Sequence, residues 1–220
     1  MTADFIWRME DVLELYHEPY EPKFPVVCFD EMPYQMLKDV YEEIPMKPGS
    51  PRKTDYEYKR RGVCNIFMFF QPLMGWRKVV VRERKTKIDF AECVKMLVDE
   101  WFPEAEQIRL VCDNLSTHTP VGLYEHFDAK EARRLIKRLD FRYTPKHGSW
   151  LNMAEIELSI LSRQCLKQRI PEMEQVQGTC TAWEEQRTHK KLSVDWRFSV
   201  EDARVKLERL YPKKNNVSEH

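Results

Sequence analysis

Short apolar runs alternate with longer amphipathic stretches along this chain, and the alternation predicts an α/β fold. The runs of strand length are 26–29, 63–70, 76–82, 108–112 and 139–143. The run 108–112 is almost continuously apolar, which is typical of a strand buried on both faces of a sheet. Residues 62–82 are predicted to form a hairpin around a turn at 71–75.

In most of the remaining chain, apolar residues recur at the spacing of an α-helix. This spacing predicts helices over 4–16, 87–101, 121–138, from Trp150 onward, and over 199–210. A loop is expected over 46–61, a solvated charged segment over 181–191 and a disordered tail over 213–220. Trp183, Trp196 and Phe198 are expected to anchor the C-terminal part on the core. The predicted division is an N-terminal helix and linker (1–24), a catalytic domain (25–170), a helical extension (171–212) and the tail (213–220).

Two of these helices have a clear apolar stripe. The helix 87–101 carries its stripe on Ile88, Ala91, Val94, Leu97 and Val98. The helix from Trp150, with Ser149 as the predicted N-cap, carries its stripe on Leu151, Ala154, Leu158, Leu161 and Cys165. Glu155 and Glu157 flank that second stripe on opposite sides. Either glutamate could reach the edge of the sheet, and periodicity does not choose between them.

Composition narrows the class of protein. The 220 residues include 36 basic and 36 acidic ones, so a polyanion would have to bind a local patch and a DNA-coating protein is disfavoured. The six cysteines include no Cys-x-x-Cys pair, which favours reduced core residues over a disulfide framework or zinc site. No signal peptide is present, and Gln71 and Pro72 interrupt the most apolar run, 66–76. We therefore expect a soluble cytoplasmic protein with no membrane segment.

Carboxylates follow two of the predicted strands. Asp30 comes after the run 26–29 and Asp113 after the run 108–112. Taken alone, Asp113 with Asn114 is more typical of a turn. The order of elements, however, is that of a mixed five-stranded ribonuclease H-like sheet, in which the first and fourth strands are neighbours and the closing helix brings a glutamate to the same edge. Three carboxylates there would require a cation, and two Mg²⁺ ions roughly 3.5–4 Å apart would suit phosphodiester cleavage.

Basic residues offer two candidate phosphate contacts. Arg133, Arg134, Lys137 and Arg138 crowd the end of the helix 121–138, where they favour the helix dipole, with a phosphate-facing patch as the alternative. A second group is expected to line bound DNA. It consists of Arg52, Lys53, Lys59, Arg60, Arg61, Arg82, Arg84, Lys85 and Lys87.

Three segments carry a specific resemblance. The segments VVCFDE (26–31), VCDNLSTH (111–118) and YTPKHGSWLNMAE (143–155) resemble the signature blocks of bacterial insertion-sequence transposases related to mariner elements, within the DDE endonuclease superfamily. The resemblance extends over 5–212, including a closing motif from Trp196 to Pro212. It implies that Asp30, Asp113 and Glu155 are the catalytic, metal-binding carboxylates, which resolves the choice against Glu157. It also implies that Asn114, His118 and Asn152 surround the metal site or contact DNA.

The same resemblance implies a function. It is metal-dependent cleavage of double-stranded DNA at transposon ends, followed by strand transfer to target DNA, with two Mg²⁺ ions that Mn²⁺ can replace. A homodimer in the active complex and a location in the bacterial cytoplasm at the nucleoid are implied as well. Such transposases also carry an N-terminal helix-turn-helix region, which these residues lack, so an excised domain and a stand-alone relative are both open. The 42 positions from Asp113 to Glu155 are more than in many members.

Two other functions fit the same features. One is a non-catalytic, transposase-derived fragment that binds DNA or pairs with a full-length transposase and regulates it. The other is a structure-selective or RNA·DNA nuclease built on the same sheet, which the third block, from Tyr143 to Glu155, disfavours.

Overall fold

A mixed five-stranded sheet forms the centre of the structure, which is a computed structural model describing residues 3–41, 48–49 and 56–212. The strands are β1 (Val26–Asp39), β2 (Tyr58–Gln71), β3 (Trp76–Arg82), β4 (Ile108–Cys112) and β5 (Leu139–Tyr143). Their order across the sheet is β3-β2-β1-β4-β5. β1 to β3 form an antiparallel meander, whereas β4 pairs parallel with both β1 and β5. The predicted ribonuclease H-like arrangement is confirmed.

Helices cover both faces of this sheet. They are α1 (Ala3–His17), α2 (Lys87–Met96), α3 (Val121–His126), α4 (Ala129–Lys137), α5 (Met153–Gln164), α6 (Met173–His189) and α7 (Val200–Lys206). One core lies between the sheet and α1, α5, α6 and α7, and it receives alternate strand residues such as Cys28 and Val111. The other lies under α2, α3 and α4 and receives Phe29 and Leu110. Because successive strand residues face opposite sides, neighbouring acids along β1 are also sent to opposite faces.

The first strand is longer than the sequence predicts. β1 does not end at Phe29 but continues through Asp30 and Glu31 to Asp39, because β2 pairs with it along most of this length. Its pairing with β4 does stop at Cys28, opposite Val111. Asp30 therefore lies where β1 extends past the end of its parallel neighbour. The expected loop 46–61 is also shorter, since β2 begins at Tyr58, and residues 42–47 and 50–55 lie outside the described part of the chain.

Two predicted helices are interrupted. The helix over 87–101 is α-helical to Met96 and continues as a π-helical turn over Leu97–Trp101. Ile88, predicted on its buried stripe, is 49% exposed, and Phe90 is buried instead. The helix over 121–138 is two helices, because Asp128 caps a new one by accepting hydrogen bonds from the amides of Lys130 and Glu131.

The C-terminal part packs more closely than predicted. Trp183 is buried, which confirms it as an anchor on the core. Glu184 is buried as well, so the segment 181–191 is not solvated throughout, because α6 packs along β3. The helix start at Ser199 is confirmed, with a capping box to Asp202. All six cysteines are free thiols. None of the helices over 3–41 and 56–212 is long and apolar enough to cross a membrane. The domain boundaries remain a prediction, and the tail 213–220 lies outside the described residues.

Two glycines should respond in opposite ways to alanine. Gly75, in the turn between β2 and β3, has a φ of +65°, and a Cβ there would lie 2.8 Å from the backbone of Lys191 and Leu192. Gly178 lies inside α6 with nothing within 4 Å of an added Cβ. We expect Gly75→Ala to lower the free energy of unfolding by about 2 kcal/mol or more, and Gly178→Ala to raise it by roughly 0.5–1 kcal/mol. Urea denaturation measures both, and equal shifts would contradict the packing described at Gly75.

Candidate active site

The strand register brings Asp30 and Asp113 side by side. Cys28 pairs with Val111 in the parallel β1–β4 ladder, so continuing this register by two residues sets Asp30 opposite Asp113. Cys28 and Val111 both face the core beneath α5. By alternation, the two aspartates point to that same face, just beyond the last residue of β4. This is the sheet edge at which the sequence places them.

The third acid comes from the start of α5. The sequence predicts that Ser149 caps a helix from Trp150, but residues Ser149–Leu151 form a 3-10 turn and the N-cap of α5 is Asn152. The Asn152 side chain accepts a hydrogen bond from the amide of Ala154 at 3.1 Å and donates one to the carbonyl of Phe29 at 2.8 Å. This buried amide thus ties the first turn of α5, which contains Glu155, to β1 directly beside Asp30.

Asp30 and Glu155 interact as a carboxyl pair. Burial raises the pKa of Asp30 to about 7, and the nearby charges of Glu31, Glu155 and Asp113 act in the same direction, against a hydrogen bond from the Glu31 amide at 2.8 Å. Burial also raises the pKa of Glu155, against hydrogen bonds with Ser149 and Asp30. Both carboxyl groups therefore lie in a partly buried, acidic environment at the sheet edge, which disfavours their charged forms.

Asp113 is held by a histidine that touches a second buried acid. The Nδ1 atom of His118 makes a short hydrogen bond to Oδ1 of Asp113, and its Nε2 lies 2.9 Å from Oε2 of Glu31. The contact between Nε2 and Glu31 is within ion-pair distance but is poorly aligned for a hydrogen bond. Within the described residues, Oε2 of Glu31 has no hydrogen-bond partner. Burial works against protonation of His118, but the two carboxylates outweigh it and raise its pKa to about 9. His118 is therefore a buried cation between two acids.

An open groove of about 450 Å³ borders these acids. It is lined by Asp113, Asn114, Leu115, Thr144, Pro145, Lys146, His147, Ser149 and Glu155. His147 has a φ of +65°, an uncommon conformation for a residue with a side chain. Lys146 and His147 were not singled out from the sequence, although they belong to the third signature block. They add donors that could contact phosphate beside the carboxylates.

Glu157 lies apart from this groove. Its side chain is 1% exposed, receives two hydrogen bonds from Arg187 at 3.0 and 3.3 Å, and lies 2.9 Å from Nε of the fully buried Arg77. Glu155 and Glu157 therefore leave α5 in different directions, one to the carboxylate cluster and the other to a buried ion network. The choice of Glu155 as the acid near Asp30 agrees with this geometry.

Some of the basic residues predicted to contact DNA are exposed, and others are in ion pairs with acidic residues. Arg60 and Arg84 are exposed, Arg61 pairs with Glu172 at 3.0 Å, and the half-exposed Lys85 lies 3.6 Å from Glu31. The remaining described cations of that group are Lys59, Arg82 and Lys87. Arg82 pairs with Glu92 and Lys87 with Glu125. Arg52 and Lys53 lie outside the described residues, and DNA contact by the others remains a prediction.

Asn152 provides a test of how the site is assembled. Asn152→Ala removes both the helix cap and the donor to Phe29, so we expect a loss of about 2–4 kcal/mol in the free energy of unfolding. Asn152→Ser keeps a capping oxygen without adding a charge but loses the donor to Phe29, and should retain part of the stability. Guanidinium denaturation of both variants measures the difference. If both are as stable as the original chain, Asn152 does not tie α5 to β1.

Comparison with known proteins adds a family. The sequence profile of DDE superfamily endonucleases matches residues 25–177. No curated protein sequence matches the chain significantly. The structure is similar to the Mos1 mariner paired-end complex with Mn, with a TM-score of 0.57 and 13% identity over 87% of this chain and 58% of that one. It is also similar to the Mos1 strand transfer complex, with a TM-score of 0.54 and 11% identity over the same shares.

The structural similarities establish the fold, whereas the profile match establishes the family. At these identities the Mos1 structures show a shared fold, and this chain spans 58% of the length of those chains. The profile covers the whole sheet, the groove and α5, which is more than two thirds of the sequence. The chain therefore belongs to the DDE superfamily of endonucleases.

Proposed function

We propose that this protein is the catalytic domain of a transposase, which cleaves DNA strands and joins them to a target with the help of divalent metal ions. The observation that carries the proposal is the convergence of Asp30, Asp113 and Glu155 at one edge of the sheet, beside an open groove. Membership in the DDE endonuclease superfamily supports it. Asp30, Asp113 and Glu155 are assigned as the catalytic carboxylates in this proposal.

The residues present fit a divalent cation. The three side chains offer hard oxygen donors of the kind that Mg²⁺ prefers, and burial and the neighbouring acids raise the pKa of Asp30, a strain that a bound cation would relieve. Within residues 3–41, 48–49 and 56–212, no three Asp, Glu, His or Cys side chains already form a complete ligand set for a metal. Bound Mg²⁺, or Mn²⁺ in its place, would activate the attacking oxygen and stabilise the leaving one, with two ions serving the two oxygens.

The protein's own groups have separate tasks in this proposal. Asp30 is fixed by the sheet and by the amide of Glu31, so it supplies a rigid oxygen. Asn152 sets the position of Glu155 relative to β1. Lys146 and His147 would hold the phosphate backbone in the groove next to the scissile bond. The attacking group is water or a DNA 3′ hydroxyl, so no covalent enzyme intermediate is needed.

The biological substrate is proposed more specifically from the signature blocks. The blocks VVCFDE, VCDNLSTH and YTPKHGSWLNMAE resemble those of bacterial insertion-sequence transposases. The substrates would then be the double-stranded ends of an insertion sequence and a target duplex at the bacterial nucleoid. Two ends must be joined, so a homodimer would form the active complex. Paired transposon ends are bound in the Mos1 complex that this fold resembles.

A cleavage assay tests this function. End-labelled duplexes that carry inverted-repeat ends are incubated with the protein and Mg²⁺, Mn²⁺ or a chelator, and an RNA·DNA hybrid is tested in parallel. The proposal predicts metal-dependent nicking of the duplex and formation of joined products when a target duplex is added. Cleavage confined to the hybrid would instead indicate a ribonuclease H-type activity.

A second candidate is a non-catalytic fragment that regulates a full-length transposase. One observation favours it, namely that Lys146 and His147 line the groove and offer DNA contacts that need no metal. This candidate predicts that the protein binds duplex DNA or a transposase without cleaving DNA under any metal condition. The same assay, with a binding measurement on the same duplex, separates the two candidates.

A further inference from the structure

Glu31 is a buried acid for which the proposed chemistry has no direct use. It follows Asp30 on β1 and so faces the opposite side of the sheet, and its side chain is 3% exposed. Its Oε2 lies 2.9 Å from Nε2 of His118, and its Oε1 lies 3.6 Å from the ammonium of Lys85. Burying a carboxylate costs free energy unless a cation or a hydrogen-bond donor lies beside it, and His118 is the nearest such group to Glu31.

The His118 ring is buried and contacts neighbours on several sides. The side chain of His118 is 2% exposed and packs edge-on against Phe29, with the ring centres 5.0 Å apart, and at a tilt against Phe90, with the ring centres 5.1 Å apart. The hydroxyl of Tyr143 donates to its backbone carbonyl at 3.1 Å. Its two ring nitrogens face two carboxylates, Glu31 on one side and Asp113 on the other. The ring therefore lies between the two acids and contacts both of them.

We propose that Glu31 is a positioning residue, which acts through His118 to hold Asp113 in the orientation needed to bind a divalent ion. The proposal rests on the proposed function. Glu31 fixes the ring, the ring fixes Oδ1 of Asp113, and Oδ2 of Asp113 has no partner among the described residues, so it is available to a metal. Groups that orient a ligand in this way typically change metal affinity by about 10–100-fold when they are removed.

A matched pair of variants isolates this role. Glu31→Gln keeps a polar oxygen at the 2.9 Å contact with Nε2 of His118, whereas Glu31→Met fills a similar volume with no polar atom there. Calorimetric titration of the protein with Mn²⁺, without DNA, should show affinity close to the original for Glu31→Gln and an affinity about 10–100-fold weaker for Glu31→Met. In a His118→Phe background, which keeps the aromatic packing, Glu31→Met should weaken binding no further.

The alternatives give different results. If Glu31 binds the ion itself, Glu31→Gln and Glu31→Met lose affinity equally, because an amide is a poor substitute for a carboxylate, and the proposal is overturned. If neither variant changes affinity, the residue has no positioning role. If the two substitutions at 31 and 118 weaken binding additively, Glu31 acts independently of His118, which also contradicts the proposal.

A second readout does not need the metal. In the metal-free protein, NMR contacts between the His118 ring and the rings of Phe29 and Phe90 should be kept in Glu31→Gln and weakened in Glu31→Met, because the ring then loses its polar neighbour on one side. Unchanged ring contacts in Glu31→Met would overturn the proposed contact. If the original chain binds no Mn²⁺ while these ring contacts follow the prediction, the proposed function fails and the His118 arrangement stands.

Discussion

Replacing Asp113 by Asn is expected to reduce metal-dependent nicking of duplex DNA by about 10³-fold or more, because several kcal/mol of transition-state stabilisation come from a correctly held ion. Asn keeps an Oδ1 that can accept the hydrogen bond from His118, so the local fold should survive. It removes the charge that Asp113 contributes to the carboxylate cluster. Single-turnover cleavage of a labelled duplex at saturating Mg²⁺ measures the change.

The control is an acid outside the groove. Glu104→Gln removes one negative charge from an exposed position before β4 and should nick DNA at the original rate. Circular dichroism of both variants reports on the fold. If Asp113→Asn nicks as fast as Glu104→Gln, the activity does not come from this site.

The largest effect on stability is expected at Glu157. Its carboxylate lies between Arg77, whose side chain is fully buried, and Arg187, which is 13% exposed. Burial lowers the pKa of Arg77, and the negative charge of Glu157 acts against that effect. Glu157→Ala leaves both arginines without this counter-charge, and breaking a buried pair in this way costs about 3–5 kcal/mol. For a chain of this size the melting temperature should fall by roughly 6–20 °C.

A surface glutamate and a compensated variant complete this test. Glu185→Ala removes an exposed glutamate from α6 and should change the unfolding free energy by less than about 0.5 kcal/mol. The double change Arg77→Met with Glu157→Met should recover part of the loss, because apolar side chains of similar volume can replace a buried ion pair. Calorimetric melting curves decide, and a Glu157→Ala variant within 1 °C of the original would contradict the account of this network.

Much of the fold follows from local sequence. The observed bounds of β3, β4 and β5 are those of the predicted apolar runs, and the order of elements along the chain predicts the observed sheet. The placement of Asp30 beside Asp113 also follows, because parallel neighbours share an edge. The extension of β1 past Phe29 does not follow from the sequence. Residues 30–39 are polar or mixed, and pairing with β2 keeps them in the sheet. Long-range pairing of this kind leaves no periodic signal in the strand itself.

The contacts that support the site were harder to predict. Glu31 is read from sequence as the end of a strand, and only the fold shows that it meets His118, 87 positions later along the chain. Asn152 was placed near the site by resemblance, but its bond to Phe29 depends on how α5 approaches β1. The break between α3 and α4 was signalled by Asp128, a favourable N-cap residue inside an otherwise continuous amphipathic pattern.

The central claim is that Asp30, Asp113 and Glu155 share divalent ions. A crystal soaked in Mn²⁺ and measured at the manganese absorption edge tests it most directly, with an Asp113→Asn crystal treated in the same way. The account predicts anomalous density between the three carboxylates in the original protein and weakened or absent density in the variant. Density at another place, or none between these side chains at saturating Mn²⁺, would contradict it.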